Sequence, residues 1–248
     1  IRRHIPDDAH CFVTDNTGGI GQLNVQGPRS RELLQSITSA DLSNEAFPFR
    51  TAREIDIGYA RLMCNRITYV GELGYELNIP AEQAVHVYDR VVEAGKELGL
   101  RHAGLRALGS LRMEKAYRDY GHDIDNTDDP YETGLGFAVR LDKPAGFIGK
   151  QACLGKQAEA PWPNRLVQIL LQDPEPLMHH GEIVWRNGQP VGEVRAASYG
   201  HTLGGAVGIG FVELDEPVTA EIVARGPWRI DIAGARHEAI ASLRPLYD

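Results

Sequence analysis

The feature that most constrains the fold is a change of texture at residues 156–164, where Gln157, Pro161 and Pro163 interrupt the pattern and read as a linker. Ahead of it, helical and extended periodicities alternate. Gln22-Leu23-Asn24-Val25-Gln26 alternates in polarity as a strand, and Gly27-Pro28 opens a helix whose apolar face is Leu33, Leu34 and Ile37. Two extended segments follow, Ile55-Asp56-Ile57 and Ile67-Thr68-Tyr69, joined through Arg61-Leu62-Met63-Cys64. The turn Val70-Gly71-Glu72-Leu73-Gly74 leads to a strand, Tyr75-Glu76-Leu77-Asn78-Ile79. A helix is predicted over 81–98, with Ala84, Val85, Tyr88, Val91 and Val92 on one stripe. A second is predicted over 103–120, carrying Leu108, Leu111, Met113 and Ala116 and stopped by Gly121. This order predicts an α+β fold, an antiparallel sheet with helices on one face.

Beyond 164 the helices are expected to vanish. Leu166-Val167-Gln168-Ile169-Leu170-Leu171 is a strand, and Asn187-Gly188 joins Ile183-Val184-Trp185-Arg186 to Val191-Gly192-Glu193-Val194 in a tight hairpin. Further strands are expected over 208–214, 219–224 and 228–232, at a spacing that suits a small barrel or sandwich. The expected domains are therefore 1–155, α+β, and 164–248, all-β.

Charge and cysteines narrow the function. A net charge of -8 lacks the basic face that a phosphate backbone needs, which argues against a nucleic-acid partner. Cys11, Cys64 and Cys153 stand far apart with no Cys-x-x-Cys, so neither a zinc site nor a disulfide framework is expected, and a reducing, cytoplasmic setting is favoured. No apolar run approaches a membrane span, and no membrane partner is expected. The chain opens on Ile1-Arg2-Arg3-His4-Ile5, which reads like the end of a helix and suggests a fragment or a processed chain.

Several motifs fail on inspection. The run Asp123-Ile124-Asp125-Asn126-Thr127-Asp128-Asp129 resembles the start of a calcium loop, but Asp128 and Gly134 stand where Gly and Glu are required, so it reads as a solvated acidic turn and no metal is expected. Gly204-Gly205 and Gly208-x-Gly210 lack the strand-to-helix context of a nucleotide loop and read as turns and close strand packing. A nucleophile elbow is absent, and His179-His180 reads as a surface turn. The segment from Ile67 to Leu77 is by itself a strand, a glycine turn and a strand, bringing two carboxylates and two aromatic rings close.

That segment, Tyr69-Val70-Gly71-Glu72-Leu73-Gly74-Tyr75-Glu76, resembles a stretch of the aminomethyltransferase family, which includes the glycine-cleavage T-protein and the folate domains of dimethylglycine and sarcosine oxidases and dehydrogenases. Other blocks fall in the family's order: Leu23-x-Val25-Gln26-Gly27-Pro28; Ser110-Leu111-Arg112-Met113-Glu114-Lys115 with Tyr120-Gly121-His122-Asp123-Ile124; Gly134-Leu135 and Phe147-Ile148-Gly149-Lys150; Gly192-Glu193-Val194 and His201-Thr202-Leu203-Gly204. The run from Met113 to Gly121 is most similar to the flavoprotein branch. The resemblance implies the aminomethyltransferase fold closed by a small C-terminal β-barrel, with the family's N-terminal part missing here.

It also implies tetrahydrofolate as ligand. A carboxylate offers two acceptors that match the paired donors of a pterin edge, and the family's residue for this is Glu76 here. Tyr69 matches a Tyr that lines the pocket in the oxidase branch, where a ring can stack on the pterin. Tyr247 falls near a late family Tyr. Arg112 reads mainly as an ion-pair residue and is carried as a further ligand contact. Leu108 stands where T-proteins carry a folate-contacting Arg, a departure from the family pattern. The catalytic residue stays unassigned, because the family's Asp precedes the Leu23 block and would lie before Ile1; neither Asp15 nor Asp41 has its context.

The implied reaction is capture of a one-carbon unit from an N-methylated glycine, or its iminium, to give 5,10-methylenetetrahydrofolate. FAD is expected in a separate flavin oxidase domain or subunit. A free-standing aminomethyltransferase and a non-catalytic scaffold module are the alternatives.

Overall fold

The structure is a computed structural model and describes residues 1–247. By internal contacts the chain divides into two compact units, Ile1–His102 and the chain from Ala103 onward. The first contains a four-stranded antiparallel sheet and the second a closed six-stranded barrel.

In the first unit β1 (Ile20–Gln26), β2 (Ala52–Ile57), β3 (Ala60–Asn65) and β4 (Gly74–Pro80) lie in the order β1-β4-β3-β2. Alternation along each strand sends one set of side chains into the core. Val25, Ile55, Ile57, Leu62, Cys64, Tyr75, Leu77 and Ile79 are buried on that face with Leu33 and Leu34 of α1 (Ser30–Gln35) and Val87 and Val91 of α2 (Ala84–Gly95). The other face carries Gln22, Asn24, Gln26, Glu54, Glu76 and Asn78, none of which is fully buried. The predicted α+β arrangement therefore holds.

Three local expectations are corrected. Arg61 to Cys64, expected to be a connection, is itself strand, and Ile67-Thr68-Tyr69 lies in the loop before β4. The stripe of α2 was placed out of phase: Val87 and Val91 are buried with Ala84 and Ala94 packed on the same core, whereas Val85 is 71% exposed and Tyr88 41%. Six apolar residues fall within the nine positions 84–92, enough to fit two helical phases, and the core selects between them. The helix predicted over 103–120 is α3 (Leu105–Glu114) and stops six residues early. Ala116 then turns into the left-handed region (φ 52°), and the side chain of Gln168 donates to the carbonyls of Met113 and Glu114 at 2.7 and 3.1 Å, taking over the role of a C-terminal cap.

The barrel order is β10-β5-β8-β7-β6-β9, from β5 (Asn164–Leu171), β6 (Ile183–Arg186), β7 (Gln189–Gly200), β8 (Gly205–Glu213), β9 (Trp228–Ile232) and β10 (Ala235–Ser242). Asn187 and Gly188 both have positive φ (50° and 80°), as the tight hairpin requires. Val167, Ile169, Val194, Val212 and Ile230 fill the interior. Helix α3 covers part of the outside, so Val207, Ile209 and Phe211 of β8 are buried with Met113 and Ala116. Residues 156–158, expected in a linker, complete α4 (Lys150–Ala158). The expected strand over 219–224 is a helix, α5 (Ala220–Arg225), because Thr219 caps it by accepting from the Ile222 amide at 3.3 Å. No helix among the described residues is long and apolar enough to cross a membrane.

Candidate functional site

Glu76 sits in the middle of β4, and the same alternation that buries Tyr75 and Leu77 turns it to the opposite face. It is half-buried, and its cross-strand neighbours are Asn24 on β1 and Asn65 on β3. The carboxylate Oε2 accepts from Gln22 Nε2 at 3.2 Å, and Oε1 has no hydrogen-bond partner among the described residues. One oxygen is therefore oriented by the protein while the other is open to an incoming donor. Amides on three sides give the carboxylate a polar surround with no cation hydrogen-bonded to it.

Gln26, to which sequence reasoning gave no role, lies on the same face. It pairs in register with Gly74, two positions before Glu76 on the same face of β4. Its amide lies over that glycine: a Cβ at position 74 would stand 1.7 Å from Gln26 Oε1. Oε1 is buried and accepts no hydrogen bond. A visible signal existed, since Gln22, Asn24 and Gln26 repeat at every second position and so share Glu76's face.

Tyr69, in the loop before β4, is half-buried, and so is Glu72 in the turn. Two surface concavities, one along residues 145–152 and one beside Trp228, do not include Glu76.

Arg112 and Tyr247 belong to the second unit. Arg112 is 7% exposed; its guanidinium pairs with both oxygens of Asp123 and donates to the Tyr117 carbonyl at 2.9 Å. Asp123 is itself 1% exposed and accepts from the Asp119 amide at 2.8 Å, so the expected solvated acidic turn is corrected at this residue. The buried guanidinium draws its counter-charge inward, and only the following Asp125, Asp128 and their neighbours form the surface turn. Glu114, next on α3, accepts from the amides of Thr202 and Leu203 at 2.7 and 3.0 Å. Gln168 accepts from the Leu246 amide at 2.6 Å, which places Tyr247, and the ammonium of Lys115 lies 4.3 Å from that ring's centre. No group of three or more His, Cys, Asp or Glu among the described residues is arranged to hold a metal ion.

Comparison with known proteins bears on the family and the fold. Residues 1–143 match the family model of the GCVT N-terminal domain, and residues 164–248 match that of the glycine cleavage T-protein C-terminal barrel domain. The chain is 45% identical over 238 residues to a 4-methylaminobutanoate oxidase (formaldehyde-forming) of Paenarthrobacter nicotinovorans, covering 95% of this chain and 28% of that protein. It is 38% identical over 242 residues to human mitochondrial sarcosine dehydrogenase, covering 97% of this chain and 26% of that protein. The chain thus spans about a quarter of the length of these relatives. The crystal structure of the glycine cleavage system aminomethyltransferase T from Bartonella henselae superposes with a TM-score of 0.75 at 24% identity, over 92% of this chain and 59% of that one, and shares the fold.

Proposed function

The chain belongs to the aminomethyltransferase (glycine-cleavage T-protein) family, and from that premise we propose that it binds tetrahydrofolate on the open face of the first unit's sheet and receives a one-carbon unit from an N-methylated glycine. The observation that carries this reading is Glu76, half-buried between Asn24 and Asn65 with one carboxylate oxygen oriented and the other open. A pterin edge presents adjacent N–H donors, and a carboxylate with acceptor capacity to spare, beside a buried amide oxygen that lacks a donor, is the matching set.

Tetrahydrofolate supplies, when bound, the nucleophilic nitrogen that takes up the carbon. The protein's part is positional. Glu76 holds the ring edge, Gln22 fixes the carboxylate's rotamer, and Tyr69 offers a ring face to the pterin. Holding the ligand still and away from water favours capture of a reactive iminium over its hydrolysis to formaldehyde. The iminium would come from a flavin domain or subunit of the intact protein; no residue here is assigned to FAD. Relatives named as sarcosine dehydrogenase and 4-methylaminobutanoate oxidase support a methylated amine as the source. The roles of Arg112 and Tyr247 rest on the resemblance.

Calorimetric titration of the full-length protein with tetrahydrofolate tests the assignment. Glu76→Ala is expected to weaken binding about 100-fold, the worth of two charge-assisted hydrogen bonds. It should also divert one-carbon product from methylenetetrahydrofolate to formaldehyde when sarcosine or dimethylglycine is turned over. Unchanged affinity would remove Glu76 from the site. Arg112 and Tyr247 are checked by replacing each in turn in the same titration.

A further inference from the structure

We propose that Gln26 is a second recognition residue on the same face, whose side-chain carbonyl accepts a ring N–H next to those held by Glu76, and that residue 74 is glycine to give this amide its place; the proposal rests on the folate reading. Three observations converge. Gln26 Oε1 is buried and accepts no hydrogen bond. The amide fills the space that a side chain at 74 would need, 1.7 Å from the position of a Cβ there. Gly74 is buried and lies two residues from Glu76 on one strand face, so Gln26 and Glu76 are diagonal cross-strand neighbours whose backbones stand roughly 7–8 Å apart.

A buried carbonyl that accepts nothing is unfavourable, because desolvation is uncompensated. Three other buried atoms of this kind belong to side chains that make ring contacts, whereas Gln83 Oε1, just ahead of α2, shares with Gln26 the lack of a donor. The guanidinium of Arg186 rests on Trp228, Arg236 covers the ring of Trp185, and His86 stacks on Tyr59 at 3.7 Å. Gln26 has no such contact, and it faces the polar row that carries Glu76. A ligand bringing a donor-rich heterocyclic edge to that row relieves it. An acceptor beside a carboxylate also makes the site selective: it suits a ring with several neighbouring N–H groups and disfavours one whose corresponding atom is itself an acceptor.

The signature of such a residue is opposite in sign for the empty and the loaded protein. Gln26→Met keeps the volume and removes the carbonyl. In the full-length protein the melting temperature without ligand is expected to be unchanged or raised, while tetrahydrofolate affinity falls roughly 10-fold, the worth of one hydrogen bond. Gly74→Ala is expected to weaken binding similarly by displacing the amide, and adding Gln26→Ala to it should restore the melting temperature without restoring affinity. Parent affinity in both Gln26→Met and Gly74→Ala would overturn the proposal, as would a Gln26→Met protein that melts several degrees lower without ligand, since the amide would then be structural. If the parent binds tetrahydrofolate and Glu76→Ala does not, while Gln26→Met binds normally, only this inference fails. If the parent itself does not bind, the folate reading fails first.

Discussion

Strand β8 of the barrel is buried along both faces, with Ala206 and Val212 inside and Val207, Ile209 and Phe211 beneath α3. Strand β4 of the sheet buries Tyr75, Leu77 and Ile79 on one face and leaves Glu76 and Asn78 half-exposed on the other. The polar side chains follow the same division. Glu114, the last residue of α3, and Gln168 are 2% exposed and each meets backbone donors or acceptors. On the open face of the sheet, the Glu76 carboxylate has an oxygen to spare and the Gln26 carbonyl has no donor. Unpaired buried atoms occur in both units, Arg165 Nε, Trp185 Nε1 and Arg186 Nε of the second among them; what distinguishes Gln26 is its place on the open face of the sheet, diagonal to Glu76.

The largest effect that would break this contrast is expected at Asp123. Asp123→Ala leaves the guanidinium of Arg112 buried without its counter-charge, which is expected to destabilise the protein by about 3–5 kcal/mol in urea unfolding. A loss below about 1 kcal/mol would mean that water reaches the pair and that this region resembles the open sheet face. Next is Gln168→Leu, which strands the carbonyls at the end of α3 and the Leu246 amide. About 2–3 kcal/mol is expected, read as a fall in Tm of several degrees. The comparison is sharpened by measuring Gln26→Met alongside it: replacement of a glutamine should destabilise in the barrel unit and not in the sheet.

Much of this division was legible in the sequence. The two-residue alternation of β1 and β4 and the Asn187-Gly188 turn each derive from a local rule, and the structure follows them. The misreadings share a cause. The early end of α3 depends on Gln168, more than fifty residues downstream; the phase of α2 depends on which side the sheet lies; Asp123 is buried because Arg112 is. Such outcomes are set by tertiary partners, which local periodicity does not contain. At the site, Glu76 and Tyr69 were found through family resemblance. Gln26 stood inside a quoted motif, but its role depends on Gly74 across the strand pair, and that register is a property of the fold.

The smallest effect tests whether the two faces of one sheet differ as sharply as the two regions do. Cys64 and Asn65 are consecutive on β3, the first buried and the second half-exposed beside Glu76. Burial pushes the Cys64 thiol up to about 12 from its ordinary 9.0, with Arg53 opposing weakly. A group whose pKa is higher in the folded protein favours folding in full below its unfolded value, and that contribution is lost as pH climbs from about 9 towards 12. At pH 10 the loss amounts to about 1 kcal/mol. Unfolding free energies of the parent and of Cys64→Ala, compared from pH 8 to 10.5, should therefore converge as pH rises, because only the parent carries this thiol. Native thiol labelling at pH 8 should reach the exposed Cys11 and spare Cys64. Parallel stability curves, or rapid labelling at Cys64, would show that the core face of the sheet opens to water, and the asymmetry that sets Glu76 apart from its neighbours would then lose its structural basis.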